Sequence, residues 1–452
     1  LKLAQRRTDL TQGSLFRHLI RLALPMILGN LLQNVFNLVD MIFVGRLGPA
    51  AIAAVSISGI LLTLVWTFLI GLSIGTTALV SRFFGARDYH QTKAAANQAL
   101  FLGLLLSLFL GGLGILWPSP PLRLLGAEEE VVRLGAPYIQ VVFGGSFALI
   151  LLFLISAILR GIGDAMTPVK IWAFSSVLNI VLDPLLIFGI GPFPRLEVLG
   201  AGIATVFGQF VGLILGFVVL LRGYSYIQID PKEFRLSGNL ILRILKIAIP
   251  GSMQGFFRNV SGLILMRIVA TYGTIVIAAY GIGLRILLMV MMPGWAIGSA
   301  VATLVGQNLG ARQPDRAEKS GWLGTALYTG LLVGVGSLFF LFAEPVIRIF
   351  NDDPGVVRSG AAYLRTVALS YPFLAMGIIP GMALGGAGDT VTTMAVIGFS
   401  LILFQVPVAL WLPKMWGLGI QGIWISIALA FVLQGVLMVL AFRLGKWKRK
   451  RV

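Results

Sequence analysis

Residues 23–57 read ALPMILGNLLQNVFNLVDMIFVGRLGPAAIAAVSI, and residues 248–282 read AIPGSMQGFFRNVSGLILMRIVATYGTIVIAAYGI. The two stretches align without a gap at an offset of 225, with Pro25 and Pro250 each standing third. The same offset sets LVSRFFGAR, from Leu79, against LVGQNLGAR, from Leu304. It also sets Tyr138 against Tyr363, and RGIGDAMTP, from Arg160, against GGAGDTVTT, from Gly385. Four matches in order at one offset describe a duplicated unit, so the fold is read once and applied twice.

The solvent of that unit is lipid. Of the 452 residues, 58% are hydrophobic and only 12% charged, about half the charge that a soluble surface carries. A helix needs about 20 apolar residues to cross the hydrocarbon. Twelve stretches qualify. Six fall in the first half, at 17–41, 51–79, 93–117, 135–160, 167–190 and 199–221. Six fall in the second, at 247–271, 275–304, 321–342, 360–385, 392–413 and 420–442. Barrel strands alternate over roughly 10 residues, whereas Leu100–Trp117 is apolar for longer. The expected fold is therefore all-α and polytopic, with twelve transmembrane helices in two pseudo-symmetric six-helix lobes, V-shaped around a central cleft. The first lobe takes 1–221, a cytoplasmic linker 222–246, and the second lobe with a basic tail 247–452. Because six is even, both units keep the same orientation, and two like bundles on one linker suit alternating access.

Charge orients the chain. With the N-terminus inside, 24 of the 35 Lys and Arg lie in inside segments or at the inner ends of spans and 7 in outside loops; the other four, Arg258, Arg267, Arg285 and Arg365, lie within spans. The positive-inside rule then places both termini in the cytoplasm. The block Leu1–Arg21 reads as a cytosolic lead-in rather than a signal peptide. The basic tail Lys446–Arg451 follows directly on a span, so headgroups are a nearer partner for it than nucleic acid. The two Gly-Ala-Arg loops, at Gly85–Arg87 and Gly310–Arg312, read as turns with a positive anchor. There is no cysteine and there are two histidines, so disulfides, thiolate chemistry and a zinc site are excluded. GIGDAMTP lacks the strand and spacing of a dinucleotide fingerprint. The chain is expected to be no enzyme and to use no cofactor.

Two acids fall well inside spans: Asp40 and Asp183. Asn30, Gln33, Asn37 and Asp40 recur at three- or four-residue steps, bordered by Asn34, and form one stripe. Facing lipid, that stripe would be costly, so it is expected to face the bundle interior. Asn179 and Ser176 share a face with Asp183, while Thr205 and Gln209 stand four apart on the next span. Together these side chains would line one cavity in the first lobe. Two carboxylates with amide and hydroxyl oxygens make a hard-cation site. They equally make a proton acceptor, because burial and a neighbouring carboxylate both favour the neutral form. Static pairing of each aspartate with Arg46 or Arg195 is the competing reading. The second lobe has Leu265, Gly262 and Arg258 where the first has Asp40, Asn37 and Gln33, so the halves have diverged in function. Pro25 and Pro250 favour kinks early in spans 1 and 7, as do Pro184, Pro293, Pro372 and Pro380 elsewhere.

From Ala23 to about Phe442 the chain resembles the multidrug and toxic compound extrusion family. LALPMILGNLLQNVFNLVDMIFVGRLG, GDAMTPV and NIVLDPLLIFG followed by LGAGIAT carry the likeness. The resemblance implies an inner-membrane pump that exports organic cations and other amphipathic compounds by H⁺ or Na⁺ antiport, in contact with membrane lipids and acting as a monomer. The chain is most similar to the branch related to the DNA-damage-inducible F protein. That likeness implies a proton or cation site at Asp40, Asn179, Asp183 and Thr205, which would hold the metal if sodium is the coupling ion. It implies an adjoining substrate cavity at Gln33, Asn37, Tyr138 and Ser176, to which Asn34 and Arg258 are added as candidates. Phe36 stands where some relatives have tyrosine. The other large branch has acids in spans 7 and 10, where this chain has Arg258 and the stretch ALSYPFLAMG. A flippase for a lipid-linked saccharide, from the same broad superfamily, is the alternative, kept open by Arg258.

Overall fold

The structure, a computed structural model, describes residues 9–230 and 234–450. Residues 1–8 of the lead-in, 231–233 of the linker and Arg451 of the tail lie outside the described residues. Those described form helices joined by turns and short loops, with no strand among them. The first half contains α1 (Leu15–Gly45), α2 (Pro49–Gly85), α3 (Tyr89–Leu116), α4 (Ser119–Leu124), α5 (Glu129–Gly144), α6 (Ser146–Gly161), α7 (Met166–Phe188) and α8 (Glu197–Arg222). The second contains α9 (Gly238–Ala270), α10 (Thr274–Gly310), α11 (Pro314–Leu341), α12 (Ala343–Arg348), α13 (Pro354–Ala368), α14 (Tyr371–Gly386), α15 (Thr390–Gly398), α16 (Val406–Trp411) and α17 (Ile420–Arg443).

As many as twelve of these segments are long and apolar enough to cross a membrane. Two of the twelve are not the single rods that hydropathy implied. The span read as 135–160 is α5 and α6, bent by 43°, and the span read as 360–385 is α13 and α14, bent by 55°. At the first break the chain passes through Gly144 and Gly145, and Gly145 leaves helical geometry at ψ 2°. At the second, Pro372 enters α14 with no N–H to offer, and Ser370 turns its hydroxyl back to the Val367 carbonyl. A third irregularity, a π-helical turn at Phe399–Gln405, joins α15 to α16.

The repeat extends to backbone torsions. Gly48 and Gly273, just before α2 and α10, sit at φ 108° and 97°. Gly163 and Gly388 sit at 91° and 83°. Arg87 and Arg312 hold φ 60° and 59°, a left-handed conformation that a side chain rarely adopts. Each pair is separated by 225 residues. The Gly-Ala-Arg loops are therefore one tight turn used twice, closed by Asp88 N on Phe83 O and by Gln313 N on Asn308 O.

The chain divides into two compact units, one formed by Arg21–Ala248 with the described part of Leu1–Asp9, the other by Leu10–Ile20 with Ile249–Val452. Residues 10–20, read from sequence with the first lobe, thus cluster with the second. Arg316 holds them by donating to the carbonyls of Leu10 and Gly13. In the first unit α6 is the buried axis; Ile150, Leu152, Leu154, Ile155 and Ile158 are fully covered. Helices α2, α3 and α8 pack around it. Among the ten helices that qualify singly, α1 is the least covered, and it presents Leu24, Leu28, Leu31, Val35 and Leu38 outward. In the second unit α14 packs against α10, α11 and α17. Part of the basic tail is engaged within this unit. Trp447 is buried on the Phe442 ring, Lys448 pairs with Glu318, and Lys450 pairs with Asp389.

Candidate ion site in the first unit

The site is built where α7 and α8 touch. Gly208 lets them approach: a Cβ there would lie 2.8 Å from the Ser175 carbonyl oxygen and 3.4 Å from Asn179 Cβ. That closeness brings Thr205, one turn earlier on α8, to Asn179. Asn179 Nδ2 donates to Thr205 Oγ1 at 3.4 Å and to Asp183 Oδ1 at 3.1 Å. The second bond is the i, i+4 contact expected of one helix face.

Helix α1 supplies the rest. Asp183 is fully buried, and the carboxyl groups of Asp183 and Asp40 lie within hydrogen-bonding reach of each other. Asp40 Oδ1 and Asp183 Oδ2 are both buried without a donor. Above them, Ser176 donates to Gln33 Oε1 at 3.4 Å, and Gln33 Nε2 donates to Asn37 Oδ1 at 3.3 Å. Tyr138 is buried beside both acids, its ring against the backbone of Gly202. Asp40, Asn179, Asp183, Thr205, Gln33, Ser176 and Tyr138 are thus brought together.

The α1 stripe divides. Asn30, Gln33 and Asp40 are half-buried, while Asn34 and Asn37 are exposed. Asn34 turns its amide to the Asn30 carbonyl. A helix covered on one side cannot bury a stripe that spans both of its flanks. Arg195 is engaged by Glu197 at 3.2 Å, and Arg46 is exposed; among the described residues neither pairs with Asp40 or Asp183. Pro25 is buried inside α1 and Pro250 half-buried inside α9. Arg258 lies on α9, half-buried, and belongs to the other unit.

Two carboxyls at this range repel unless something positive lies between them. A shared proton satisfies the pair, and so does a small cation, for which Thr205 Oγ1 stands near as a neutral oxygen ligand and the Asn179 amide, whose nitrogen faces the pair here, offers its oxygen once the amide is flipped. No group of three or more His, Cys, Asp or Glu able to hold a metal occurs among the described residues, so a bound cation would rely on those neutral oxygens. Sequence reading missed the contacts in the second unit. There Ser261 on α9 donates to Leu401 O and Gln405 Oε1 in the π-helical turn, at 3.1 and 3.0 Å. A π turn leaves no residue pattern to find.

The family model described as MatE matches residues 25–185 and again 250–411, once in each repeat. A probable multidrug resistance protein NorM from Thermotoga maritima is 30% identical over 447 residues, covering 96% of this chain and 94% of its own. An FAD transporter from Shewanella oneidensis is 29% identical, with 95% of each covered. Among solved structures, a MOP superfamily transporter from Pyrococcus furiosus, described as having a binding pocket of reversed polarity, superposes with a TM-score of 0.90 at 25% identity over 99% of both chains. Both repeats answer to one transporter family across almost the full length, and the chain belongs to the MatE family of membrane transporters.

Proposed function

We propose that this protein is a secondary active exporter of amphipathic small molecules, organic cations among them, driven by inward flow of H⁺ or Na⁺. The ion binds at Asp40, Asn179, Asp183 and Thr205, and substrate is handled near Gln33, Asn37, Tyr138 and Ser176. The observation that carries this reading is the buried carboxyl pair contributed by two helices. Relatives described as multidrug resistance and multidrug export proteins support export. We read the acids and their amide neighbours as those of the branch related to the DNA-damage-inducible F protein. It works in the inner membrane as a monomer, with both termini in the cytoplasm.

The mechanism follows from the pair's repulsion. In the ion-free, outward-facing state Asp40 and Asp183 cannot both stay charged at contact range, so α1 and α7 take up an ion from outside. Neutralised, the pair draws Asp40 toward Asp183 and moves α1, the span least held by its neighbours and the one carrying Pro25. Gln33 rides on the same helix, so its contact to Ser176 on α7 changes with it. Substrate affinity then falls and cargo leaves outward. Coupling requires the ion and the cargo each to bind the two states unequally, and the effect is reciprocal.

The test is transport in proteoliposomes under imposed Na⁺ or H⁺ gradients, with a fluorescent organic cation as cargo. Wild type is compared with Asp40→Asn and Asp183→Asn. Loss of gradient-driven export in both variants supports the site. Undiminished driven export in both would defeat it.

A further inference from the structure

We infer that the short helices α4 and α12 are interfacial anchors that each seat one phospholipid headgroup, with paired arginines on its phosphate and a projecting Leu or Ile in the acyl layer. The inference is independent of the export reading and uses the proposed orientation only to name the leaflet, which is the outer one.

The two helices are one device used twice. Residues 116–126 read LWPSPPLRLLG and residues 341–351 read LFAEPVIRIFN, again at an offset of 225. Helix α4 follows α3, the third span of the first repeat, and α12 follows α11, the third span of the second. Each turns one side chain inward: Leu122 and Ile347 are fully covered. Each of these packs on a glycine of the next helix. A Cβ at Gly135 would lie 3.1 Å from Leu122 Cδ1, and a Cβ at Gly360 would lie 3.1 Å from Ile347 Cδ1. That packing fixes how the short helix faces, and the residues that follow point away from the protein.

Those residues are Arg123 with Leu124 and Arg348 with Ile349. Leu124 is 89% exposed and Ile349 79%, the highest values of any large hydrophobic side chain among the described residues. Both lie past the end of a span, since α3 stops at Leu116 and α11 at Leu341. Ordinary lipid contact along a spanning helix does not account for them. In water such exposure is costly; in the leaflet, below a helix lying at the interface, it is stabilising. Trp117, exposed just before α4, is a residue type enriched at headgroup level.

The cations complete the seat. In the first unit α4 packs on α5, and Arg123 and Arg133 line one cavity of about 600 Å³ together with Ser119, Glu129, Glu130 and Pro137. Arg123 meets Glu129 at 3.0 Å, but both are mostly exposed, and such a pair contributes little. A phosphate can take its place, because the guanidinium fork matches phosphate oxygens. Two cations beside two acids suit a head of both signs, such as phosphatidylethanolamine, with its ammonium toward the glutamates. In the second unit α12 packs on α13, and Arg348 and Arg358 stand where Arg123 and Arg133 do. Pro354 and Gly355 replace Glu129 and Glu130, so an anionic head, such as phosphatidylglycerol, suits that seat. Arg133, Arg348 and Arg358 are exposed, and among the described residues none of them meets a carboxylate.

The chain has no cysteine, so one nitroxide can be placed cleanly at Leu124→Cys, Ile349→Cys or, as a reference in water, Asp352→Cys. Depth is read from collision with oxygen against a nickel chelate in liposomes of phosphatidylethanolamine and phosphatidylglycerol. The labels at 124 and 349 are expected to meet oxygen and escape nickel, and the label at 352 to do the reverse. Headgroup binding is read by native mass spectrometry of the full chain with dioctanoyl phosphatidylethanolamine, dioctanoyl phosphatidylglycerol and dioctanoylglycerol. Arg123→Gln with Arg133→Gln is expected to weaken phosphatidylethanolamine binding, and Arg348→Gln with Arg358→Gln phosphatidylglycerol binding, by about five-fold for each arginine removed. The matching lysine variants keep most of the binding, unfolding midpoints stay at the wild-type value, and inorganic phosphate displaces neither lipid. Nickel access to the label at 124 or 349 would overturn the inference. So would equal lipid binding by wild type and both glutamine pairs, dioctanoylglycerol binding as tight as that of the phospholipids, or displacement of both lipids by inorganic phosphate.

Discussion

Ser176 on α7 donates its hydroxyl to Gln33 Oε1 on α1 at 3.4 Å. It ties the helix that carries Asp183 to the helix that carries Asp40, two turns away from the acids themselves. One such bond contributes about 1 kcal/mol, which is about a fivefold change in an equilibrium. Ser176→Ala is expected to shift the ion concentration for half-maximal transport several-fold while leaving folded yield unchanged. Ion-dependence curves in proteoliposomes check this.

Asp183→Asn removes one of two facing carboxyls and keeps the shape. The variant no longer needs a proton or cation to relieve repulsion. Its thermal unfolding in detergent is therefore expected to become insensitive to Na⁺ and to pH across the neutral range, at a midpoint no lower than that of wild type. Unfolding scans with and without Na⁺, at two pH values, give the answer.

Gly208 has no room for a methyl group, because the Ser175 carbonyl would be 2.8 Å from it. Gly208→Ala is expected to part α7 from α8, separate Thr205 from Asn179, and cost about 1–3 kcal/mol. A lower unfolding midpoint together with weakened ion dependence is the expected pair of readouts. A drop in stability with intact ion dependence would show that the Thr205 contact is dispensable.

Pro25 removes one backbone donor inside α1 and leaves that helix easier to bend. Pro25→Ala is expected to cut driven export more than folded yield. Comparing transport per folded molecule, from size-exclusion profiles of tagged protein, distinguishes the two. Equal losses would make the proline a folding residue only.

Trp447 is 1% exposed, stacks on Phe442 at 4.8 Å and donates its indole N–H to the Phe442 carbonyl at 2.8 Å. Trp447→Ala is expected to lower stability by about 3–5 kcal/mol, as for other large buried aromatics. Lys450→Ala, which loses a partly exposed pair with Asp389, should cost about 1 kcal/mol or less. Chemical unfolding of the two variants side by side tests the ordering.

The duplication and the positions of the spans were legible because hydropathy is an average over about twenty residues, and averages survive local irregularity. The same averaging hid the bends at Gly144–Gly145 and Ser370–Tyr371, which depend on one or two residues. Within the site, Asn179 and Asp183 were legible as neighbours because four residues make about one helical turn. The approach of Asp40 to Asp183 crosses from α1 to α7, and no spacing along the chain encodes it. The acidic partners of the tail were hidden for a related reason. A run of Lys and Arg after a span has the composition of a lipid anchor whether or not Glu318 and Asp389 wait for it.

The packing of Trp447 has a practical corollary for anyone labelling this protein. A fluorescent reporter or affinity handle inserted within a few residues after Trp447 starts beside a wedged indole. A flexible spacer spares that contact, and assays of fusions made there without one would record the strain of the fusion along with the behaviour of the transporter.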